Sequence, residues 1–307
     1  MKTTIFCGKG GVGKTLCAVS LATSLSGKVG IIDYDGGHSV KNTLGLTDNI
    51  PVNSIYPIGS NMHAVIIESP VYKNITEAKE LDWNLTKYLN QFPNNLGIIP
   101  YADMLHEFFG VPTDIPTLQK FAVLVQILSK MNNEGFDHVI IDVEPTAGLE
   151  RLLLNANSTV RSLRNLKNKG TIFLTMLGAK WPDIARYLKG NYIRDIDMYT
   201  ADIEAAVQTI KYARYLLVCT PERGPVGQTF EVRSIIEKFG GKIYGYVINN
   251  MRGEPHEEDN IIVIKNQNLP IVYINRDNQI HERLDFVSQI LLSNGKQINS
   301  IFKKELR

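Results

Sequence analysis

Short apolar runs alternate with longer amphipathic segments along most of the chain. The runs have the length of buried strands, and the segments between them have the length and apolar spacing of helices. The predicted strands are residues 3–7, 28–35, 62–68, 96–100, 136–142, 215–219, 243–249 and 270–274. The predicted helices are residues 16–25, 76–90, 115–132, 227–239 and 280–292. This alternation predicts a doubly wound α/β fold with a mainly parallel sheet.

Three segments depart from the alternation. Residues 46–61, which include Pro51 and Pro57, are predicted to form a loop, and residues 254–259 are predicted to form an acidic loop. Residues 149–212 follow a helical pattern where a further strand would be expected. We therefore expect a single domain over residues 1–307 with a helical insertion at roughly 149–212.

That insertion contains an apolar cluster between Gly170 and Gly178, with a tryptophan just beyond it. Two interpretations remain open, because one sequence does not show which side faces water. The cluster is either the small core of a helical extension or an apolar surface for a client protein. The candidate client-surface residues are Phe173, Met176, Leu177 and Trp181, beside Ile172 and Leu174.

Composition narrows the class of protein. The hydrophobic fraction is 44%, the charged fraction 21% and the net charge +2, which are ordinary values that do not indicate nucleic-acid binding. No apolar run has transmembrane length, and the first residues do not resemble a signal peptide. Cys7, Cys17 and Cys219 are scattered through apolar stretches, which favours neither a disulfide nor a zinc site. We therefore expect a cytoplasmic protein.

Residues Gly8 to Thr15 match a phosphate-binding loop, in which two glycines separated by four residues precede Lys and Ser or Thr. Glycine lets backbone N–H groups face phosphate oxygens, and the helix that follows directs the positive end of its dipole at the anion. Lys14 would neutralise the outer phosphates, and the Thr15 hydroxyl would ligate Mg²⁺. The loop residues predicted to bind nucleotide are Gly8, Lys9, Gly10, Gly11, Val12, Gly13, Lys14, Thr15 and Leu16.

Aspartates end two of the predicted strands. Asp33 and Asp35 lie at the end of the predicted strand 28–35, and Asp142 ends the predicted strand 136–142. Open parallel sheets bind ligands at the carboxyl ends of their strands, so these carboxylates should lie at the edge that carries the phosphate loop. Asp35 and Asp142 are therefore the candidate metal-site residues beside Thr15.

A second lysine, Lys9, directly follows the first glycine, and from this point the chain resembles a family. The family is that of the arsenite-pump and tail-anchored-protein-targeting ATPases, which are relatives of the MinD/ParA partitioning ATPases. Residues 9–15 match the deviant phosphate loop of that class at every position. Residues 35–39 resemble its switch I segment, and residues 142–146 resemble its switch II segment. The segments 100–103, 220–222 and 247–249 match in place, so the resemblance covers nearly the whole chain.

The resemblance implies an ATP-hydrolysing homodimer that uses ATP and Mg²⁺, closes on ATP and opens after hydrolysis. Asp35 would orient the attacking water and Asp142 would help to hold Mg²⁺. Lys14 would bind the phosphates, and Lys9 would reach the nucleotide of the partner subunit, so that Asp35, Lys9 and Lys14 are the implied catalytic residues. The remaining residues expected to contact nucleotide are Glu222, Asn249 and Asp277, with Asn249 on the adenine.

Three functions remain open at this point. The first is an ATP-driven targeting factor or chaperone that holds an apolar client, such as a helix or membrane-protein segment, and whose partner is this client or a membrane receptor. The second is a metal- or metalloid-handling or a partitioning ATPase, and the third is a nucleotide-binding switch with negligible turnover. The chain has Gly36 and Gly37 where the family has Pro-Ala, and Glu144 where it has a small residue. The cysteines needed for zinc or arsenic are missing, which favours the first function.

Overall fold

A computed structural model describes most of the chain. The described residues are 1–35, 37, 39–46, 50–68, 115–143, 146–154, 156, 168, 175, 197, 201–276 and 284–303. The predicted helix at 76–90 and the predicted strand at 96–100 lie outside these residues.

The described residues form an eight-stranded sheet. Its strands are β1 (Lys2–Cys7), β2 (Val29–Asp33), β3 (Tyr56–Pro57), β4 (Met62–Ile66), β5 (His138–Asp142), β6 (Arg214–Cys219), β7 (Lys242–Met251) and β8 (Ile271–Asn275). They lie in the order β3-β4-β2-β5-β1-β6-β7-β8. The short β3 pairs with β4 in the antiparallel direction, and every other pair in the sheet is parallel. The prediction of a mainly parallel α/β sheet is confirmed.

Six helices have both ends within the described residues. They are α1 (Lys14–Ser24), α2 (Ser39–Thr43), α3 (Ile115–Asn133), α4 (Arg223–Phe239), α5 (Pro255–Lys265) and α6 (Leu284–Lys303). Residues 146–154 and 201–211 are also helical. None of the helices in the described part of the chain has the length and apolar composition of a membrane span.

The core lies on both faces of the central strands. Successive strand residues point to opposite faces of the sheet, yet every residue of β2 is buried, for example Ile31 and Ile32 at 0% exposure. The same holds for β1 after Lys2 and for β5 after His138. Parallel sheets covered by helices on both faces produce this pattern, which is why these strands are continuous apolar runs in the sequence.

The strand register brings polar residues together at one edge. Asp33 at the end of β2 is paired in register with Asp142 at the end of β5. Phe6 of β1 is paired with the same Asp142, so the chain leaves β1 for the phosphate loop at the level of this carboxylate. The carboxyl edge of the sheet therefore carries the loop and both aspartates, as the sequence predicts.

The predicted acidic loop at residues 254–259 is wrong, because α5 begins at Pro255. Glu254 is the N-cap residue, Pro255 occupies the first turn, and the Glu257 side chain bonds back to the N-cap backbone. This capping box and first-turn proline are helix-start signals, so the acidic residues stabilise the helix instead of forming a loop. The predicted loop at 46–61 contains the two-residue strand β3.

Backbone contacts divide the chain into two compact units. The first contains residues 1–68, 123–154 and 206–307 and holds the whole sheet. The second contains residues 69–122 and 155–205, and its described residues 201–205 are helical. The single domain over 1–307 and the insertion at 149–212 stay predictions.

Candidate nucleotide-binding site

The phosphate loop connects β1 to α1 and depends on glycine at three positions. A Cβ at Gly8 would overlap the Val218 carbonyl oxygen of β6. Gly11 and Gly13 have φ angles of 81° and 88°, which side chains rarely adopt. Gly13 is also the N-cap residue of α1, so the loop ends where the helix exposes its first N–H groups. The glycine pattern is therefore required by the path of the backbone.

Lys14 begins α1 and is buried, with 7% of its surface exposed. Its Nζ donates a hydrogen bond to the main-chain carbonyl of Lys9 at 3.0 Å. Burial lowers the pKa of Lys14 below its ordinary value, and the negative charges of Asp142 and Asp35 oppose this shift. The side chain is thus held within the loop, with its ammonium at the point where the predicted phosphates would lie.

Thr15 and Asp142 form a direct pair at the carboxyl edge of the sheet. The Thr15 hydroxyl donates to Asp142 Oδ2 at 2.5 Å. Burial raises the pKa of the Asp142 carboxyl from 3.8 to about 7, and the charges of Asp33 and Asp35 add to this shift. The hydrogen bond from Thr15 and the charge of Lys14 act in the opposite direction. A second cation near Asp142 would therefore stabilise its charged form.

The residues present fit a magnesium ion. Asp142 Oδ1 is buried and has no hydrogen-bond partner among the described residues. The Thr15 hydroxyl uses its proton on Asp142, which leaves its lone pairs for a cation. Proteins usually bind Mg²⁺ through one or two side chains plus water and substrate phosphates, and Thr15 with Asp142 would supply such a pair.

The two aspartates after the first helix differ in environment. Asp35 is exposed and directly follows Tyr34, whose N–H donates to the Asp142 carbonyl at 2.9 Å. The negative charge of Asp35 acts to raise the pKa of both Lys14 and Asp142. Asp33 is fully buried, and its Oδ2 accepts hydrogen bonds from Ser39 Oγ at 3.2 Å and from the Val40 N–H at 3.1 Å. The sequence pairs these two carboxylates, but the structure gives them different roles.

Asn249 reaches the phosphate loop from β7. Its Nδ2 donates to the Val12 carbonyl at 2.9 Å, and the side chain is 8% exposed. This contact with the loop backbone was not anticipated from the sequence, and the adenine contact stays a prediction. Open α/β sheets bind ligands at the carboxyl ends of their strands, so the asparagine near this end of β7 is the sequence signal that could have suggested the contact.

The other predicted residues are distributed as follows. Lys9 is exposed, Leu16 is half-buried, and Glu222 is an exposed N-cap residue of α4 at the carboxyl end of β6. Asp277 and the candidate client-surface residues lie outside the described residues. The loop, Asp142 and Asn249 thus come together at one edge, whereas the structure does not place Glu222 in contact with them.

A glycine-dependent loop between a parallel strand and a helix, beside a strand-end carboxylate, defines the class of phosphate-loop nucleotide-binding proteins. A family model for anion-transporting ATPases matches residues 1–294. The chain therefore belongs to the anion-transporting ATPase family. The match confirms the predicted relationship to arsenite-pump and targeting ATPases and the predicted enzyme class, an ATPase.

Individual relatives are distant. The chain is 20% identical to ATPase GET3C of Arabidopsis thaliana over 261 residues, which cover 80% of this chain and 65% of that protein. It is 23% identical over 273 residues to a candidate arsenical pump-driving ATPase of Aquifex aeolicus (strain VF5), covering 84% and 83% of the two chains. The chain thus spans slightly less than two thirds of the plant relative.

A solved structure supports the fold. The structure of apo McdA from Cyanthece superposes with a TM-score of 0.51 and 17% sequence identity, covering 98% of this chain and 99% of that chain. At this identity the likeness shows the fold alone.

Proposed function

We propose that this protein is an ATP-hydrolysing dimeric switch that couples ATP-driven closure to binding and release of an apolar client. The observation that carries the proposal is the convergence of Lys14, Thr15 and Asp142 at the phosphate loop. These groups supply a cation for the phosphates, a hydroxyl for a metal ion and a buried carboxylate with an unused oxygen. Phosphoryl transfer requires mainly this kind of positioning and charge neutralisation.

The residues of the candidate site have the following roles in this proposal. Lys14 exchanges the Lys9 carbonyl for an outer phosphate oxygen when ATP binds. Thr15 and Asp142 would hold Mg²⁺, which would supply positive charge to neutralise the phosphates. Asp35, exposed beside the loop, orients the attacking water. Lys9, whose side chain is exposed, reaches the nucleotide of a second copy and links hydrolysis to dimer formation.

The client is the part of the proposal that rests most on the sequence. The apolar cluster around Phe173 and Met176 is the candidate client surface. The resemblance of residues 9–15, 35–39 and 142–146 to the targeting ATPases supports a targeting function. We further infer that the protein acts in the cytoplasm, in line with three cysteines of which none is in a disulfide.

Metalloid handling receives no support from the described cysteines. Cys7, Cys17 and Cys219 are all buried. Burial raises the pKa of all three thiols, in the case of Cys219 to about 12. A protonated, buried thiol is a poor ligand for a metal or metalloid.

The proposal is tested by measuring nucleotide binding, turnover and assembly on the same samples. We expect Lys14→Ala to abolish tight ATP binding in calorimetry and Asp35→Asn to bind ATP but hydrolyse it about a hundredfold or more slowly. Analytical ultracentrifugation should show a dimer with ATP in Asp35→Asn but not in Lys14→Ala. Unchanged ATP affinity in Lys14→Ala would contradict the site, and a monomer under all conditions would contradict the dimeric switch.

A further inference from the structure

Asp33 is a fully buried carboxylate for which the proposed chemistry has no direct use. It is the last residue of β2 and accepts hydrogen bonds from Ser39 Oγ and from the Val40 N–H. Ser39 and Val40 are the first residues of α2. The side chain of Asp33 therefore ties the end of one strand to the start of the helix that follows it.

The connection between β2 and α2 is also held at its start, directly after β2. The Tyr34 N–H donates to the Asp142 carbonyl at 2.9 Å, and the Tyr34 side chain is 2% exposed. The chain is thus attached to β5 at Tyr34 and to Asp33 at Ser39. Asp35 directly follows the first attachment. The backbone is thus held on both sides of Asp35, at Tyr34 and at Ser39, and these two attachments limit where the Asp35 carboxylate can lie.

Holding a short helix with a buried carboxylate costs free energy of folding. The other residues of β2 are apolar or glycine, and a charged group in their place carries a large desolvation cost. Hydrogen bonds to the charged form offset part of that cost. An apolar residue would avoid that cost but could not bind Ser39 and Val40, so the carboxylate is suited to holding the start of α2 in place.

We propose that Asp33 is a positioning residue for hydrolysis: it fixes the start of α2 against β2 and thereby holds Asp35 beside the phosphate loop. Asp33 acts through Asp35 and touches no nucleotide. The proposal rests on the proposed function, in which Asp35 orients the attacking water.

The first test separates positioning from general stability. Asp33→Ala and Ser39→Ala should each lower kcat, about tenfold or more for Asp33→Ala, because small displacements of a catalytic group are costly. KM for ATP and Kd for ADP should stay within about twofold. Asp33→Asn keeps one acceptor oxygen and should lie between Asp33→Ala and wild type. If all kinetic constants changed together with melting temperature, a merely structural role would be indicated and the proposal overturned.

Hydrogen exchange gives a readout that is independent of turnover. The peptide that contains Val40 should exchange faster in Asp33→Ala, because its N–H loses an acceptor, while peptides from α4 should not change. Asp137→Ala is the matched control, since Asp137 Oδ2 accepts from the Lys28 N–H at 2.8 Å at the opposite edge of the same sheet. It should lower stability without lowering kcat. Unchanged exchange at Val40 in Asp33→Ala would overturn the proposal.

The second test asks whether Asp33 acts through Asp35. In an Asp35→Asn background, measured under single-turnover conditions, Asp33→Ala should cause less than about a twofold further loss. An undiminished further loss would show that Asp33 acts by another route and would overturn the proposal. If Asp35→Asn alone left kcat unchanged, the proposed function of Asp35 would fail, whereas the exchange experiment would still decide whether Asp33 restrains the connection.

Discussion

The side-chain amide of Asn249 donates a hydrogen bond to the main-chain carbonyl of Val12, with 2.9 Å between the nitrogen and the oxygen. This bond joins the end of β7 to the phosphate loop. Asn249 also lies so close to Gly13 that a Cβ on Gly13 would overlap the amide nitrogen. Asn249 therefore stabilises the conformation of the phosphate loop. This contribution is separate from the predicted contact of its side chain with adenine.

We predict that Asn249→Ala weakens binding of ADP and of pyrophosphate by the same factor, about threefold to tenfold. The factor corresponds to the loss of one hydrogen bond of roughly 1 kcal/mol. Calorimetry with both ligands checks this, because pyrophosphate has no base. A loss of affinity for ADP alone would show that the amide acts on adenine and not through the loop.

Gly13→Ala tests the same contact from the loop. The added methyl group would overlap Asn249 and would occupy a φ of 88°, so ADP affinity should fall further than in Asn249→Ala. The double variant should recover part of the loss, since removing the amide leaves only the backbone strain. No recovery would indicate that the φ angle alone limits this position.

Much of this edge of the sheet could be predicted because its signals are local. The phosphate loop is set by a glycine pattern, and Asp142 ends an apolar run that is buried on both faces. Within the described residues, the predicted strand boundaries differ from the observed ones by a few residues at most, as at 136–142 against His138–Asp142. Continuous apolar runs identify central parallel strands without further information.

The features that the sequence did not predict depend on contacts between residues that are far apart in the chain. The closing helix was predicted to end at Leu292, but α6 continues to Lys303 through Gly295. At Gly295, α6 packs so closely against α1 that any side chain would overlap the Ser20 carbonyl oxygen. This contact requires glycine inside the helix. The bonds from Asp33 to α2 and from Asn249 to the loop likewise depend on tertiary structure, which no local pattern encodes.

The stability of the nucleotide-free protein should depend on pH through Asp142. Because its pKa is raised from 3.8 to about 7, the folded state holds a proton that the unfolded chain releases between these values. The stabilising contribution is therefore complete below about pH 4 and is lost as pH rises to about 7, at about 1.4 kcal/mol per pH unit for one proton. We expect Asp142→Asn, which cannot ionise, to be more stable than wild type at pH 8. At pH 5 this difference in stability should be much smaller.

Melting temperatures of both proteins between pH 5 and pH 8 check this prediction. The difference between them isolates Asp142, because His63 and His138, whose pKa values are lowered by burial, contribute equally to both. Saturating Mg²⁺ and ADP should reduce the difference, since a cation stabilises the carboxylate. A difference that does not vary with pH would contradict the raised pKa.

Lys9→Ala should bind ATP normally and hydrolyse it poorly, with a defect that depends on the partner subunit. The side chain is exposed, while its carbonyl holds Lys14, so the substitution removes the charge and keeps the loop backbone. Mixing Lys9→Ala with Asp35→Asn should produce heterodimers with one intact site and measurable ATPase activity. Activity that stays at the sum of the two parents at every mixing ratio would argue against a role across the dimer.

The candidate client surface can be separated from a closed core by one double substitution. Phe173 and Met176 lie outside the described residues, so their burial is the open question. Phe173→Asp with Met176→Asp on a solvent-facing surface should leave the melting temperature and basal ATPase nearly unchanged and abolish capture of an apolar helical peptide. In a closed core the same change buries two carboxylates, which is very costly, and the melting temperature should fall by many degrees. Thr175→Asp is the matched control, since Thr175 is helical and exposed and should tolerate a carboxylate in either case. A large loss of stability in the double variant but not in the control would assign the cluster to a core, and the client would have to bind elsewhere.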